Sequence, residues 1–90
     1  MTTAPADATV HVRYFAGARA AAGVQEESVR LAAGATVRDL VAELGGRHGD
    51  GLARVLTACS FLLDGITVRD RSIAVPDGSG IDVLPPFAGG

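Results

Sequence analysis

Only one stretch of this chain carries the spacing of a long amphipathic helix. Val37, Leu40, Val41 and Leu44 fall at i, i+3, i+4 and i+7, so a helix there buries a single apolar stripe. Thr36 ahead of it reads as the N-cap, with Asp39 three residues on as an acidic capping-box partner. Gly45-Gly46 read as the stop, which puts His48 beyond the helix in a glycine-rich loop, facing solvent. One stripe cannot enclose itself. The remaining residues must supply the opposing layer.

They read as strands. In residues 9–15, Val10, Val12 and Tyr14 fall on one face and His11, Arg13 and Phe15 on the other. Residues 24–31 alternate likewise, with Glu27, Val29 and Leu31 opposite Glu26, Ser28 and Arg30, and the two runs predict an antiparallel pair. The small-residue segment 16–23 between them predicts a short helical connector. Beyond the main helix, Leu52, Val55 and Leu56 repeat helical spacing briefly. Phe61-Leu62-Leu63, the turn Asp64-Gly65 and Ile66-Thr67-Val68 then predict a second hairpin. A further extended run, Ile73-Ala74-Val75, and a turn over 76–80 lead to a last strand at 81–84. The sum is a two-layer α+β domain, one small sheet closed over one helix. Residues 1–8 read as a flexible leading segment, 9–84 as the domain and 85–90 as an extended tail.

Ninety residues make one domain, with an aliphatic core and no tryptophan. The formal charge is −2, and the basic residues are eight scattered arginines without a lysine, so no basic stripe invites nucleic acid. No segment approaches the ~20 apolar residues of a membrane span, and the start lacks the pattern of a signal peptide. A cytoplasmic protein is the default expectation. Cys59 is the sole cysteine and sits in an apolar run, where a buried, inert thiol is expected. His11 and His48 have no partner at metal-ligand spacing, so no metal site is expected. Glu26 and Glu27 point to opposite faces of a strand and read as ordinary surface and edge charges. The glycines at 17 and 23 match no phosphate-binding spacing.

The one feature that points to a chemistry is Pro85-Pro86-Phe87-Ala88-Gly89-Gly90. Proline locks φ and has no amide donor, so Pro85-Pro86 carries the following residues away from the last strand as a stiff spur. Glycine lacks a Cβ, so Gly89 and Gly90 can thread a narrow channel, with the Gly90 carboxylate open to attack from either side. If Phe15, Leu84 and either Ile66 or Thr67 lie on the uncovered sheet face near the tail, they make an apolar partner surface together with Pro85, Pro86, Phe87 and Ala88.

Residues 12–23 (VRYFAGARAAAG), 34–40 (GATVRDL), Leu63-Asp64-Gly65 and 83–90 (VLPPFAGG) resemble the small, sulfur-carrying subunits of molybdopterin synthases. These belong to the ubiquitin-like β-grasp sulfur carriers. The terminal motif alone is shared with carriers of thiamin and cysteine synthesis; the aromatic-Phe-Ala-x-Ala-Arg opening favours the molybdopterin branch. Asp64 stands where such carriers usually have Asn, and Ser79 where they have an acidic residue. The resemblance implies a mixed sheet of about five strands packed on one main helix, with short helical segments. It implies no bound cofactor and no catalytic site in the chain itself. A ubiquitin-activating-like adenylyltransferase would use ATP to adenylate Gly90, sulfur from a persulfide donor would displace AMP, and the thiocarboxylate would serve a larger synthase subunit. Alternatives are a carrier for another pathway, and a β-grasp binding module or protein modifier without sulfur chemistry.

Overall fold

The computed structural model describes residues 7–86. The chain runs β1 (Asp7–Tyr14), α1 (Ala16–Ala22), β2 (Glu26–Ala32), α2 (Val37–His48), α3 (Asp50–Leu56), β3 (Ser60–Leu63), β4 (Ile66–Thr67) and β5 (Gly80–Leu84). The strands form one sheet in the order β2-β1-β5-β3-β4, with β1 and β5 parallel and every other pair antiparallel. A parallel pair needs a long crossover, and here nearly the whole chain provides it. First and last strands thus meet at the centre, and five strands on one main helix match the expectation.

Burial follows strand parity. Val10, Val12 and Tyr14 of β1, Val29 and Leu31 of β2, Phe61 of β3, and Ile81 and Val83 of β5 meet Val37, Leu40 and Leu44 of α2 and Leu52 and Leu56 of α3 in one core. Each large aliphatic so enclosed contributes roughly 1.5–3 kcal/mol. The capping box is formed: Thr36 Oγ1 accepts from the Asp39 amide at 3.2 Å, and the Asp39 carboxylate accepts from the Thr36 amide at 2.9 Å. At the second hairpin Asp64 (φ 49°) and Gly65 (φ 84°) are both left-handed, the geometry of a two-residue turn matched to strand twist. Asp64 Oδ1 also accepts from the Gly80 amide at 2.8 Å, so the acidic residue at this turn fastens the start of β5.

Three expectations are corrected. β1 begins at Asp7, so Asp7 and Ala8, read as part of the leading segment, belong to the strand, and Ala8 is buried. Gly45-Gly46 do not end α2, which continues to His48 and stops at Gly49 (φ 90°). Gly45 is instead a packing residue, since a Cβ there would sit 3.2 Å from the Cβ of Ala53 in α3. The run Ile73-Ala74-Val75 is no strand; it makes only an isolated bridge, Thr36 to Ala74. Its backbone groups are spent on the helix start: Ile73 O accepts from Val37 N, Arg71 O from Arg38 N, and Val75 N donates to Ala35 O.

Candidate functional site

β5 lies between β1 and β3, so the segment that follows Leu84 leaves the sheet from a root held on both flanks. The Phe15 amide donates to Val83 O at 3.2 Å, and Leu84 is in register with Ser60. Pro85, half-buried, and Pro86, exposed, then end the ladder because they offer no donor. The expected reactive residues Gly89 and Gly90, with Phe87 and Ala88, lie outside the described residues.

Register fixes what the uncovered face presents. Nearest the root, Leu84 of β5 is paired with Ser60 of β3, and Phe15, the residue just past β1, follows the Tyr14–Val83 pair on the other flank and is 37% exposed. The next row reads Glu26, Arg13, Asp82, Leu62, Thr67. The hairpin pairs Leu63 with Ile66 and Leu62 with Thr67, which settles the choice left open by the sequence: Thr67 shares the open face, and Ile66 stands on the helix side of the sheet margin. Leu62 was missed, although its alternation with buried Phe61 was the signal for it. Arg13 grips Asp82 with two bonds, Nε to Oδ1 at 2.8 Å and Nη2 to Oδ2 at 3.0 Å, and its guanidinium lies 5.8 Å from the Phe15 ring centroid. The Asp82 bond and charge hold Arg13 more firmly protonated than usual. Farther from the root the face turns polar, an open groove of about 390 Å³ lined by His11, Arg13, Glu26, Asp64 and Asp82.

The helix side of the same end carries a polar cluster. Glu27 Oε2 takes a hydrogen bond from Tyr14 Oη at 2.6 Å and meets His48 Nε2 at 2.5 Å, while Oε1 accepts from Arg47 Nη1 at 3.1 Å. The Tyr14 and His48 rings meet edge to face, centroids 5.9 Å apart. Burial alone pushes a carboxyl pKa up, but the bonds from Tyr14, His48 and Arg47 outweigh it and hold Glu27 below its ordinary 4.5. Burial, then the bond to Glu27, pushes the Tyr14 phenol far up. Glu27 is therefore no ordinary edge charge, and His48 is no solvent-facing loop residue, its side chain being 15% exposed. Extending α2 by one turn is what brings Arg47 and His48 to Glu27. His11 does face solvent, paired with Glu26 at 2.6 Å. Cys59 is buried with Sγ directed at Val55 O at 3.3 Å, and burial raises its thiol pKa, the condition of an unreactive cysteine.

Among the described residues this end of the molecule supplies a firmly held root and a partly apolar face. A mixed sheet with its first and last strands parallel at the centre and a helix across one face is the ubiquitin-like β-grasp fold. The chain belongs to the ThiS family, whose model matches residues 12–90. It is 37% identical over 82 residues to the molybdopterin synthase sulfur carrier subunit of Chlamydomonas reinhardtii, covering 90% of this chain and 98% of that one. Small archaeal modifier protein 1 of Haloferax volcanii superposes with a TM-score of 0.80 at 26% identity, over 91% of this chain and 99% of that one. A chain of the complex of subunits 1 and 2 of molybdopterin-converting factor from Helicobacter pylori does so with a TM-score of 0.63 at 28% identity, over 91% and 99%. No helix among the described residues is long and apolar enough to cross a membrane.

Proposed function

We propose that this chain is the sulfur carrier of molybdopterin synthesis, with the carboxylate of Gly90 as the group that bears the sulfur. The observation that carries the reading is the 37% identity with a molybdopterin synthase sulfur carrier subunit across 98% of that protein. An ATP-dependent activating enzyme of the ubiquitin-activating type adenylates the Gly90 carboxylate, and sulfur from a persulfide donor displaces AMP. The thiocarboxylate is anionic and nucleophilic at neutral pH without a neighbouring base. Adenylation and acceptor chemistry belong to the partners. The large synthase subunit is the acceptor, a role supported by the Helicobacter pylori complex of two converting-factor subunits.

The chain's own part is presentation. Residues 85–90 reach at most about 20 Å at ~3.3–3.6 Å per residue, so a recessed active site is reached only if the sheet face around the root docks against its rim. Phe15 and Leu84, with Pro85, Pro86, Phe87 and Ala88, form that docking surface, and Leu62 and Thr67 extend it. Both partners use it, one at a time.

The likeness to a small archaeal modifier protein favours one second reading, in which Gly90 is joined to amines of target proteins. Incubation with the activating enzyme, ATP and a sulfur donor separates the two. On the carrier reading, intact mass shows one carboxyl oxygen exchanged for sulfur, and adding the large subunit with its pterin substrate returns the mass to that of the carboxylate. No sulfur in the product, with Gly90 found in an amide bond to a lysine, overturns it.

A further inference from the structure

β2 forms one margin of the sheet, and among the described residues no strand pairs with its outer side. Which of its backbone groups face outward follows from the neighbouring bonds. The Tyr14 amide donates to Gln25 O at 2.9 Å, while the amides of His11 and Phe15 donate the other way, to Ser79 O at 2.9 Å and Val83 O at 3.2 Å. Alternate residues of a strand bond to opposite sides. Val10 and Val12 therefore bond toward β2, and their partners Val29 and Glu27 toward β1. The amides and carbonyls of Glu26, Ser28 and Arg30 point outward, and their side chains lie on the open face.

We propose that this margin pairs with β2 of a second copy of the chain, antiparallel and centred on Ser28. Centring on Ser28 makes the outward groups of Glu26, Ser28 and Arg30 meet outward groups of the second copy, so every bond has its partner. It also sets Glu26 opposite Arg30 of the second copy, and Arg30 opposite Glu26, on the same face. Centring on Glu26 or on Arg30 would set like charges face to face, and the intermediate registers lose both pairings, so charge selects one register. Among the described residues of one copy Arg30 reaches only Asp7, at 4.0 Å, and its side chain is 76% exposed. A two-fold contact of this kind is self-complementary and closes as a dimer. Only three residues a side contribute outward backbone bonds, so the contact is weak and forms in the micromolar to millimolar range. Because β1 separates β2 from β5, both tail roots stay free, and the pairing is independent of what Gly90 carries.

Sedimentation equilibrium across that concentration range tests the proposal, with hydrogen exchange on the same samples. The expected result is a reversible dimer, with the amides of Glu26, Ser28 and Arg30 slowing as it forms while those of Glu27 and Val29 are slow throughout. Glu26→Arg and Arg30→Glu should each be monomeric alone and pair when mixed, since the mixture restores opposite charges at every position. Ser28→Pro, which removes one outward donor at a margin where proline is tolerated, should also be monomeric with an unchanged melting temperature. A chain that stays monomeric at millimolar concentration overturns the proposal. So does a dimer that survives Ser28→Pro, or charge variants that do not rescue one another.

Discussion

The two faces of the sheet share their strands and differ in almost everything else. On the helix side, Val10, Val12, Val29, Ile81 and Val83 are fully enclosed, and the carboxylate of Glu27 at their edge is held by Tyr14, His48 and Arg47. On the open side, Arg13 and Asp82 pair across β1 and β5, His11 pairs with Glu26, and Phe15 and Leu84 border the tail root. Alternation places these two sets one residue apart along the same backbone. On the docking surface proposed above, the same strand can therefore be changed on one side at the expense of folding and on the other at the expense of partner binding.

The largest separation of the two is expected at the tail. Deleting Gly90, or adding one residue after it, should abolish thiocarboxylate formation, because the activated carbonyl is lost or displaced. Stability should stay within the ±0.5 kcal/mol of ordinary surface changes. Intact mass after activation and a melting curve read the two effects side by side. A large fall in melting temperature would show that the tail packs as structure.

The reverse case is Leu40→Ala, which empties a fully buried position of α2. Its cost should be about 2–5 kcal/mol, at roughly 4–8 °C of melting temperature per kcal/mol in a domain of this size. Protein that remains folded should still be activated at Gly90. Loss of activation out of proportion to the unfolded fraction would mean that the core side communicates with the tail.

How much of this was legible in the sequence differs between the faces. Parity was readable wherever alternation ran unbroken, so Val10, Val12 and Tyr14 fall inside and Phe15 outside, as expected. The two-residue turn at Asp64-Gly65 already pairs Leu63 with Ile66, and applying that register gives Thr67 and Leu62 as open-face residues. The helix end was not legible. Two glycines normally stop a helix, yet here Gly45 lets α3 approach closely, and Arg47 and His48 draw the last turn onto Glu27. A tertiary contact overrode a local propensity, and with it the polar cluster stayed hidden. The segment 73–75 has strand composition, but its backbone bonds go to the start of α2, a competition that composition does not reveal.

On the open face, Phe15→Asp and Leu84→Asp should each weaken the complexes with the activating enzyme and with the acceptor subunit by a few kcal/mol, since each puts a charge into a desolvated contact. Melting temperatures should move little because neither residue belongs to the core. Titrating one partner into a preformed complex with the other should show displacement. A stable ternary complex, or full binding by both variants, would remove this face from the docking surface.

The smallest effect expected is the one that tests the helix side's charge. Glu27 is ionised in the fold at a pKa below its ordinary 4.5, so the stability it contributes is complete above 4.5 and is lost as pH falls through the lower, folded value. Glu27→Gln removes that proton linkage and weakens three bonds, at roughly 1–3 kcal/mol near neutrality. The loss should be greatest where wild-type Glu27 is charged, and the two stability curves should converge as acid protonates it. Asp39 and Asp70 also titrate below their ordinary 3.8 and remain in both proteins, so their contribution cancels in the difference between the curves. Urea unfolding of both proteins from neutral pH down to about 2 measures it directly. Curves that stay parallel throughout would mean that Tyr14, His48 and Arg47 hold the amide as well as the carboxylate, and that the cluster acts through shape rather than charge.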